Sequence, residues 1–442
     1  MRVSRAANRF RARCSARHSP RIAALVACVA LVIVSCSTTS EPTTSEQATG
    51  IDTTPTQSAL NSLDPDAFQD AVESAAEELL VPGAVVLVHT PEGSYTAAVG
   101  TTQLDTQSPP DADTHYRIAS NTKTLTAALT VLLAQDGKLR FDDPVSDYVP
   151  DVPNGNNITI AELLKMRSGL YNYTNAPELS ATMDSDPAKA WTPQEVLDIA
   201  FRHPPGFPPG TSYEYSNTNY ALLGLVAEKV GGRPLADQFQ DRLLRPLGVQ
   251  QTALPAADDT SIPDPYSHGY MYGGSAFAMV DQPYPADMQS AARAGTLQPL
   301  DYTNQNASYA TAAGGAISTA DDMATWMRAL VSGKVLNPDY QQQWLQSLQA
   351  EDPSAPDGQQ YGYGISYQRF GPNASMYYHG GELPGFNSFM GHDIENDVTL
   401  VVWTNLTLSP EGKTTANALL PTVLDQIYAG LSLQPAAPTT TR

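Results

Sequence analysis

A serine hydroxyl is a weak nucleophile at neutral pH unless a neighbouring base takes its proton. The stretch Arg117-Ile118-Ala119-Ser120-Asn121-Thr122-Lys123 holds the single S-x-x-K of the chain. At that spacing Ser120 and Lys123 share one helix face and can touch. The residues that follow, Leu125 to Ala134, are apolar or Thr/Ala nearly all round, so the helix should be buried. Burial penalises a charged amine, lowers the pKa of Lys123 and makes it a base for the hydroxyl. On its own, an S-x-x-K is more often a serine N-cap with a solvated lysine one turn in, so the assignment needs partners.

A second partner would be a Tyr or Ser followed two residues later by Asn. Three stretches fit: Tyr173-Thr174-Asn175, Tyr215-Ser216-Asn217 and Tyr302-Thr303-Asn304. Tyr215 follows the tight Pro209-Gly210-Thr211 and leads into the apolar run Tyr220–Val230, which can aim a phenol into a cleft. The other two lie in polar, Asn-rich stretches and read as ordinary loop residues. A third partner, a cation or imidazole on a strand edge, is supplied by His379-Gly380-Gly381, whose glycines let another backbone approach. Lys229-Val230-Gly231 imitates this element but ends a helical run and reads as a stop signal. The remaining histidines show no ligand spacing, so neither a metal nor another cofactor is expected. The chain has no G-x-S-x-G, which argues against an α/β-hydrolase.

These residues need elements to hold them. A helix is expected over Leu63–Leu80, with Asp64 as N-cap and Pro65 in the first turn, then strands Gly83–His89 and Tyr95–Val99. A second strand cluster covers Gly362–Arg369, Ser375–His379, Phe386–His392 and Val398–Asn405, before a last helix at Lys413–Tyr428. Between the clusters the periodicity is helical: Ser120–Ala134, Ile160–Met166, Pro193–Arg202, Asn219–Val230, Pro234–Leu244 and Thr319–Val331. The expected fold is α/β (α+β): an antiparallel sheet built from both chain ends and flanked by helices, with a mostly helical domain inserted. Residues 63–115 and 310–432 form the sheet domain and 116–309 the helical one, with the site in the cleft between them.

S-x-x-K, Y-x-N and H-x-G in this order resemble the serine penicillin-binding-protein and class C β-lactamase superfamily, from about Leu63 to Tyr428. Arg167–Asn175 and Tyr215–Tyr220 look most like a secreted D-alanyl-D-alanine carboxypeptidase, and Pro246-Leu247-Gly248 and Ala313–Thr319 also match. The resemblance implies a β-lactamase/transpeptidase-like fold. It also implies that Ser120 attacks a carbonyl while Lys123 and Tyr215 share its proton, the identity of the base being open. Asn217 would bond the substrate or Lys123. His379 would support the Tyr215 relay, and the backbone N–H groups of Ser120 and Glu382 would form an oxyanion hole. Gly380, Gly381 and Glu382 would border the substrate. Two departures count against D-alanine specificity. Gly380 and Glu382 stand where the carboxypeptidase has hydroxyl residues, and Gln368 aligns with its carboxylate-binding arginine, although Arg369 is adjacent.

The ends of the chain speak to location. Seven arginines and no acid in the first 21 residues precede the short apolar run Ile22–Val34, which is too short to span a bilayer. Ile33-Val34-Ser35-Cys36 looks like a lipobox: residues 1–35 a signal peptide, Cys36 the lipidated residue, 36–62 a flexible tether and 433–442 a disordered tail. Cys14 and Cys28 leave with the signal, so no intrachain disulfide is expected. The net charge of −21 becomes −28 on that cleavage, which disfavours nucleic-acid partners. Membrane contact is then expected through the lipid anchor only, on the extracytoplasmic side. The expected function is a serine amidase or esterase acting through an acyl-enzyme on a small molecule or a peptide, including peptidoglycan-derived peptides and D-amino-acid amides. Acylation by β-lactams belongs to the same chemistry. The alternatives are a D-alanyl-D-alanine carboxypeptidase or β-lactamase proper, and an inactive peptide- or peptidoglycan-binding lipoprotein.

Overall fold

In the computed structural model, residues 59–280 and 283–431 are described. The expected signal peptide at 1–35, Cys36, the expected tether up to residue 58 and the expected tail 433–442 lie outside them. Helix α1 (Pro65–Glu78) leads to strands β1 (Gly83–Thr90) and β2 (Gly93–Gly100). Strand β3 (Tyr116–Arg117) enters a tight 3-10 turn at Ala119–Asn121 and then α2 (Thr122–Gln135). Next come α3 (Ile160–Leu164), α4 (Pro177–Ser185), α5 (Pro193–Phe201), α6 (Asn217–Gly231) and α7 (Leu235–Phe239). They are followed by β4 (Tyr270–Met271), α8 (Ala276–Met279), α9 (Ala286–Arg293), β5 (Leu300–Asp301), α10 (Thr311–Gly314) and β6 (Ile317–Ser318). The chain ends with α11 (Ala320–Val331), α12 (Pro338–Leu345), β7 (Gln349–Ala350), β8 (Gln360–Tyr361), β9 (Ser366–Gly371), β10 (Ala374–Leu383), β11 (Phe386–Asp393), β12 (Val398–Thr404) and α13 (Thr415–Ile427).

Eight strands form one antiparallel sheet in the order β2-β1-β12-β11-β10-β9-β8-β7, so strands from both ends of the described chain meet where β1 pairs with β12. Strand alternation divides the core in two. Val85, Leu87, Val401 and Trp403 pack with α2 and α11 on one face; Ala84, Val86, Val88, Leu400 and Val402 pack with α1 and α13 on the other. Both faces are covered, which explains why β1, β11 and β12 are buried almost throughout. As expected, Asp64 caps α1, accepting from the amides of Asp66 and Ala67.

Helix α2 is buried at every position from Thr122 to Ala134. Its threonines do not break it because each hydroxyl finds an acceptor or a donor. Thr126 donates to the Ala312 carbonyl at 2.7 Å, Thr130 to the Thr126 carbonyl at 2.8 Å, and the Trp326 indole donates to Thr124 at 2.8 Å. Helix α6 begins two residues earlier than its apolar pattern and ends at Gly232 in the left-handed conformation (φ 68°), which makes Lys229 part of a helix stop. The expected strand Gly362–Arg369 is shorter. Residues 362–364 form a turn closed by Gly362 N–H to the Ile365 carbonyl at 2.8 Å, and β9 starts at Ser366. Helices α4, α9 and α12 were not expected; they are short and mostly polar.

Candidate active site

Ala119 adopts a left-handed backbone (φ 50°), which turns the chain sharply and sets Ser120 on the floor of a cleft of about 610 Å³. The turn is stitched to the sheet: Asn121 Nδ2 donates to Ser388 Oγ at 2.8 Å, and Ser388 Oγ donates to the Ile118 carbonyl at 3.4 Å. Gly381 explains how close the sheet comes. A Cβ there would lie 2.3 Å from the Ile118 carbonyl oxygen and 2.6 Å from Ser388 Oγ. At Gly380 the nearest atom would be 3.7 Å away, so only the second glycine is required by contact.

Lys123 is 0% exposed, and its Nζ lies 2.8 Å from Ser120 Oγ, 2.7 Å from Asn217 Oδ1 and 2.7 Å from the Ala313 carbonyl oxygen. Asn217 is oriented by its other contacts, since Nδ2 donates to Thr174 Oγ1 at 3.1 Å and its backbone N–H donates to Asn172 Oδ1 at 3.0 Å. Asn217 Oδ1 and the Ala313 carbonyl can therefore only accept. Burial holds the Lys123 pKa well below the usual lysine value. A neutral amine has two hydrogens and one lone pair. When the amine is uncharged, hydrogens given to Asn217 and Ala313 leave the lone pair for the Ser120 hydroxyl.

Tyr215 lies in the loop before α6. Its ring centroid is 4.8 Å from Lys123 Nζ, and its phenol interacts with the Ser120 hydroxyl. Burial raises its pKa, the Ser120 contact lowers it less, and the charges of Glu351 and Glu382 raise it further. Tyr215 therefore keeps its proton at neutral pH.

His379 is 4% exposed on β10. Burial, with the nearby Lys123, pushes its pKa down to about 3. Its Nδ1 is 2.6 Å from the Gly380 carbonyl oxygen and its Nε2 is 3.2 Å from the Tyr361 hydroxyl. The expected link to Tyr215 is not a direct hydrogen bond: the two ring centroids are 6.4 Å apart, and the ring nitrogens are engaged elsewhere. Tyr361 was not recognised in the sequence, where it falls just before the expected strand Gly362–Arg369.

Of the other expected residues, Glu382 and Asn217 line the cleft, and Gly381 packs on the nucleophile turn. Gln368 does not line it: its Oε1 accepts from the Tyr378 hydroxyl at 3.3 Å. Arg369 is exposed, donating to the Pro372 carbonyl at 3.1 Å. Gln368 pairs with Met376, whose side chain packs in the core against α1 and α13, so Gln368 shares the sheet face away from α2. Tyr173-Thr174-Asn175 is a correction. It is not an ordinary loop but a wall of the cleft, with Tyr173 buried and donating to the Tyr309 carbonyl at 2.8 Å. Tyr302 donates to the Gly273 carbonyl at 2.6 Å, away from Ser120. The rest of the cleft wall includes Met279, Val280, Leu383 and a second carboxylate, Glu214.

A sheet-and-helix fold with a serine and lysine at the head of a buried helix and a tyrosine from a facing loop defines a class, and comparison agrees. The Beta-lactamase family matches residues 68–423, and the chain belongs to that family of serine hydrolases. It is similar to a D-stereospecific amidohydrolase from Streptomyces sp., with 28% identity and a TM-score of 0.68 over 80% of this chain and 98% of the other. It is also similar to the D-amino acid amidase of Ochrobactrum anthropi, with 27% identity and a TM-score of 0.67 over 81% and 99%. Among curated relatives, the Unguisins hydrolase ungD' of Aspergillus campestris is 27% identical over 296 residues, 64% of this chain and 50% of that protein. The chain thus spans about half of that relative's length.

Proposed function

We propose that this protein is an extracytoplasmic, lipid-anchored serine hydrolase that cleaves an amide or ester bond through an acyl-enzyme on Ser120. We infer that it favours substrates bearing an amine over those ending in a free carboxylate. The observation that carries the substrate reading is the charge of the cleft. Glu214 and Glu382 line it, and apart from the buried Lys123 beneath Ser120 no lysine or arginine adjoins it among the lining residues. Two like charges about 4 Å apart repel by roughly 1 kcal/mol in water and by more in a shielded cleft. The two amide hydrolases similar in structure are consistent with a neutral or amine-bearing substrate. Met279, Val280 and Leu383 offer an apolar wall for the acyl side chain.

In this mechanism Ser120 Oγ attacks the carbonyl carbon and its proton passes to the lone pair of Lys123 Nζ. The Ser120 and Glu382 N–H groups receive the oxyanion. Tyr215, held protonated, gives its hydrogen to the departing amine or alcohol and recovers one from Lys123. Water then releases the acyl group. The lipid anchor rests on Cys36 directly after the apolar run; Cys36→Ala should move the protein out of the membrane fraction, and unchanged fractionation and migration would remove Cys36 as the site. The substrate reading is tested by kcat/KM for acyl-D-alanyl-D-alanine against its C-terminal amide, with a D-amino-acid amide alongside. A wild-type preference for the free acid would refute it.

A further inference from the structure

The contacts of His379 can be read as an inventory of hydrogens. A carbonyl oxygen only accepts, so the 2.6 Å contact with Gly380 places a hydrogen on Nδ1. Nε2 of a neutral imidazole is then an acceptor, and the hydroxyl 3.2 Å away is that of Tyr361, 1% exposed on β8. Tyr361 also lies against Tyr220, whose own hydroxyl hydrogen goes to the Leu164 carbonyl at 2.9 Å. The single Tyr361 hydrogen thus has two acceptors, the Tyr220 oxygen and His379 Nε2, and of these neighbours the Tyr361 hydroxyl is the group that can donate to Nε2.

The segment carrying Tyr361 is docked against the catalytic helix. Gly364, three residues on, has a left-handed backbone (φ 72°), and a Cβ there would lie 2.4 Å from the Ala127 Cβ and 3.0 Å from the Lys123 carbonyl oxygen. Trp344 Nε1 donates to the Tyr363 carbonyl at 2.9 Å and fixes the turn from the other side. The Tyr361 and Tyr215 rings meet edge to face, with centroids 6.3 Å apart. One short segment thus touches α2, α6, β10 and the Tyr215 loop.

We propose that Tyr361 is a positioning residue of the catalytic centre: by donating to Nε2 it holds His379 as the Nδ1–H tautomer, which clamps the Gly380 carbonyl and with it the strand edge carrying the Glu382 N–H. The proposal rests on the reading of that edge as part of the oxyanion site. Which ring nitrogen of a histidine carries the hydrogen is set by the bond the other nitrogen makes. The ionisable groups facing the imidazole are Lys123 from α2, Tyr215 from the loop before α6 and Tyr361 from β8. A bond donated to Nε2 favours the neutral ring, so its loss makes the ring easier to protonate. A protonated His379 would place a positive charge beside Lys123 and drop the Nε2 acceptor.

The test uses the full chain labelled with 15N-histidine, His379 being assigned from its absence in His379→Asn. The wild type should show the Nδ1–H tautomer at neutral pH. Tyr361→Phe should show a mixture of tautomers and an upward-shifted His379 titration. It should lose about 10–100-fold in kcat, as expected for small misplacement, with KM changed less than about twofold. The acid limb of its pH profile should move to higher pH. Tyr361→Phe/His379→Asn should be no slower than His379→Asn alone, because both changes remove one device. An Nε2–H tautomer in the wild type would overturn the proposal without any variant. So would a Tyr361→Phe enzyme with the wild-type tautomer and pH profile, or additive losses in the double variant. Should Ser120→Ala keep its turnover, the hydrolase mechanism falls, while the tautomer still decides the role of Tyr361.

Discussion

The floor and the rim of the cleft differ in every physical respect. At the floor, Lys123 has no exposed surface, two carbonyl-type acceptors and one serine, all within 2.8 Å. Each position of α2 around it is buried, so the amine has one rotameric home and one direction for its lone pair. At the rim, Glu214 is exposed and Glu382 half-buried, and the wall beside them is made of α8, a four-residue helix. The floor therefore determines what chemistry is performed, and the rim determines which charge is admitted. Substitutions at the floor should alter turnover for all substrates alike, whereas those at the rim should alter the ratio between substrates.

The largest effect is expected at the floor. Lys123→Ala and Tyr215→Phe should each lower kcat by about 10²–10⁴-fold, and the double variant should lose little more, because the groups act as a unit. Turnover of an uncharged activated ester measures this without involving the rim. A Lys123→Ala enzyme with near-normal turnover would make the lysine a structural residue.

A pH effect on stability comes next. His379 has its pKa depressed to about 3 against an unfolded value near 6.5, so the unfolded chain binds the extra proton between those values. Its contribution is present above about pH 6.5 and is lost as the pH falls toward 3, by up to a few kcal/mol. Denaturant titrations should therefore show a steeper acid loss in the wild type than in His379→Asn. Lys123 acts with the same sign at the other end: its depressed pKa makes stability rise with pH up to the unfolded lysine value.

The glycine pair separates contact from mere proximity. Gly381→Ala forces a methyl against the Ile118 carbonyl and should cost about 1–3 kcal/mol of stability, as other overpacked sites do, along with most of the activity. Gly380→Ala meets nothing closer than 3.7 Å and should melt within a degree or two of the wild type, as most surface-like substitutions do. Equal effects at both positions would contradict the close approach of β10 to the nucleophile turn.

The smallest effect belongs to the rim. Glu382→Thr should raise kcat/KM for acyl-D-alanyl-D-alanine relative to its amide by about fivefold to tenfold, the equivalent of roughly 1 kcal/mol of relieved repulsion. An unchanged ratio would assign Glu382 a backbone role only.

What could be read in the sequence was what is local. Ser120 and Lys123 are three residues apart, and the helix that buries them is a continuous apolar stretch, so their contact followed from helix geometry. Gly381 was legible because only a missing side chain permits such an approach. The Ala313 carbonyl was not legible, since a backbone acceptor has no residue type. The task of Asn172 and Thr174 was not legible because Asn217, which they orient, lies more than 40 residues away. Tyr361 on β8 bonds His379 on β10 past the intervening β9, a pairing that no local pattern announces. Gln368 was misplaced because it pairs with Met376, which packs toward α1 and α13, so it lies on the sheet face away from α2, and an alignment by eye does not show the face. Two of the helices that escaped notice, α4 and α12, start at Pro177 and Pro338, so a helix-start signal was present without the apolar stripe that usually accompanies it.

The central claim is that Ser120, activated by an uncharged Lys123, is the acyl acceptor. It is tested most directly by incubating the protein with a fluorophosphonate at several pH values and locating the adduct by peptide mass mapping. The account predicts one adduct, on Ser120, absent in Ser120→Ala, with a labelling rate that is already substantial at neutral pH and does not wait for the titration of an ordinary lysine. An adduct on another residue, no adduct at all, or a labelling rate that rises only near pH 10 would contradict it.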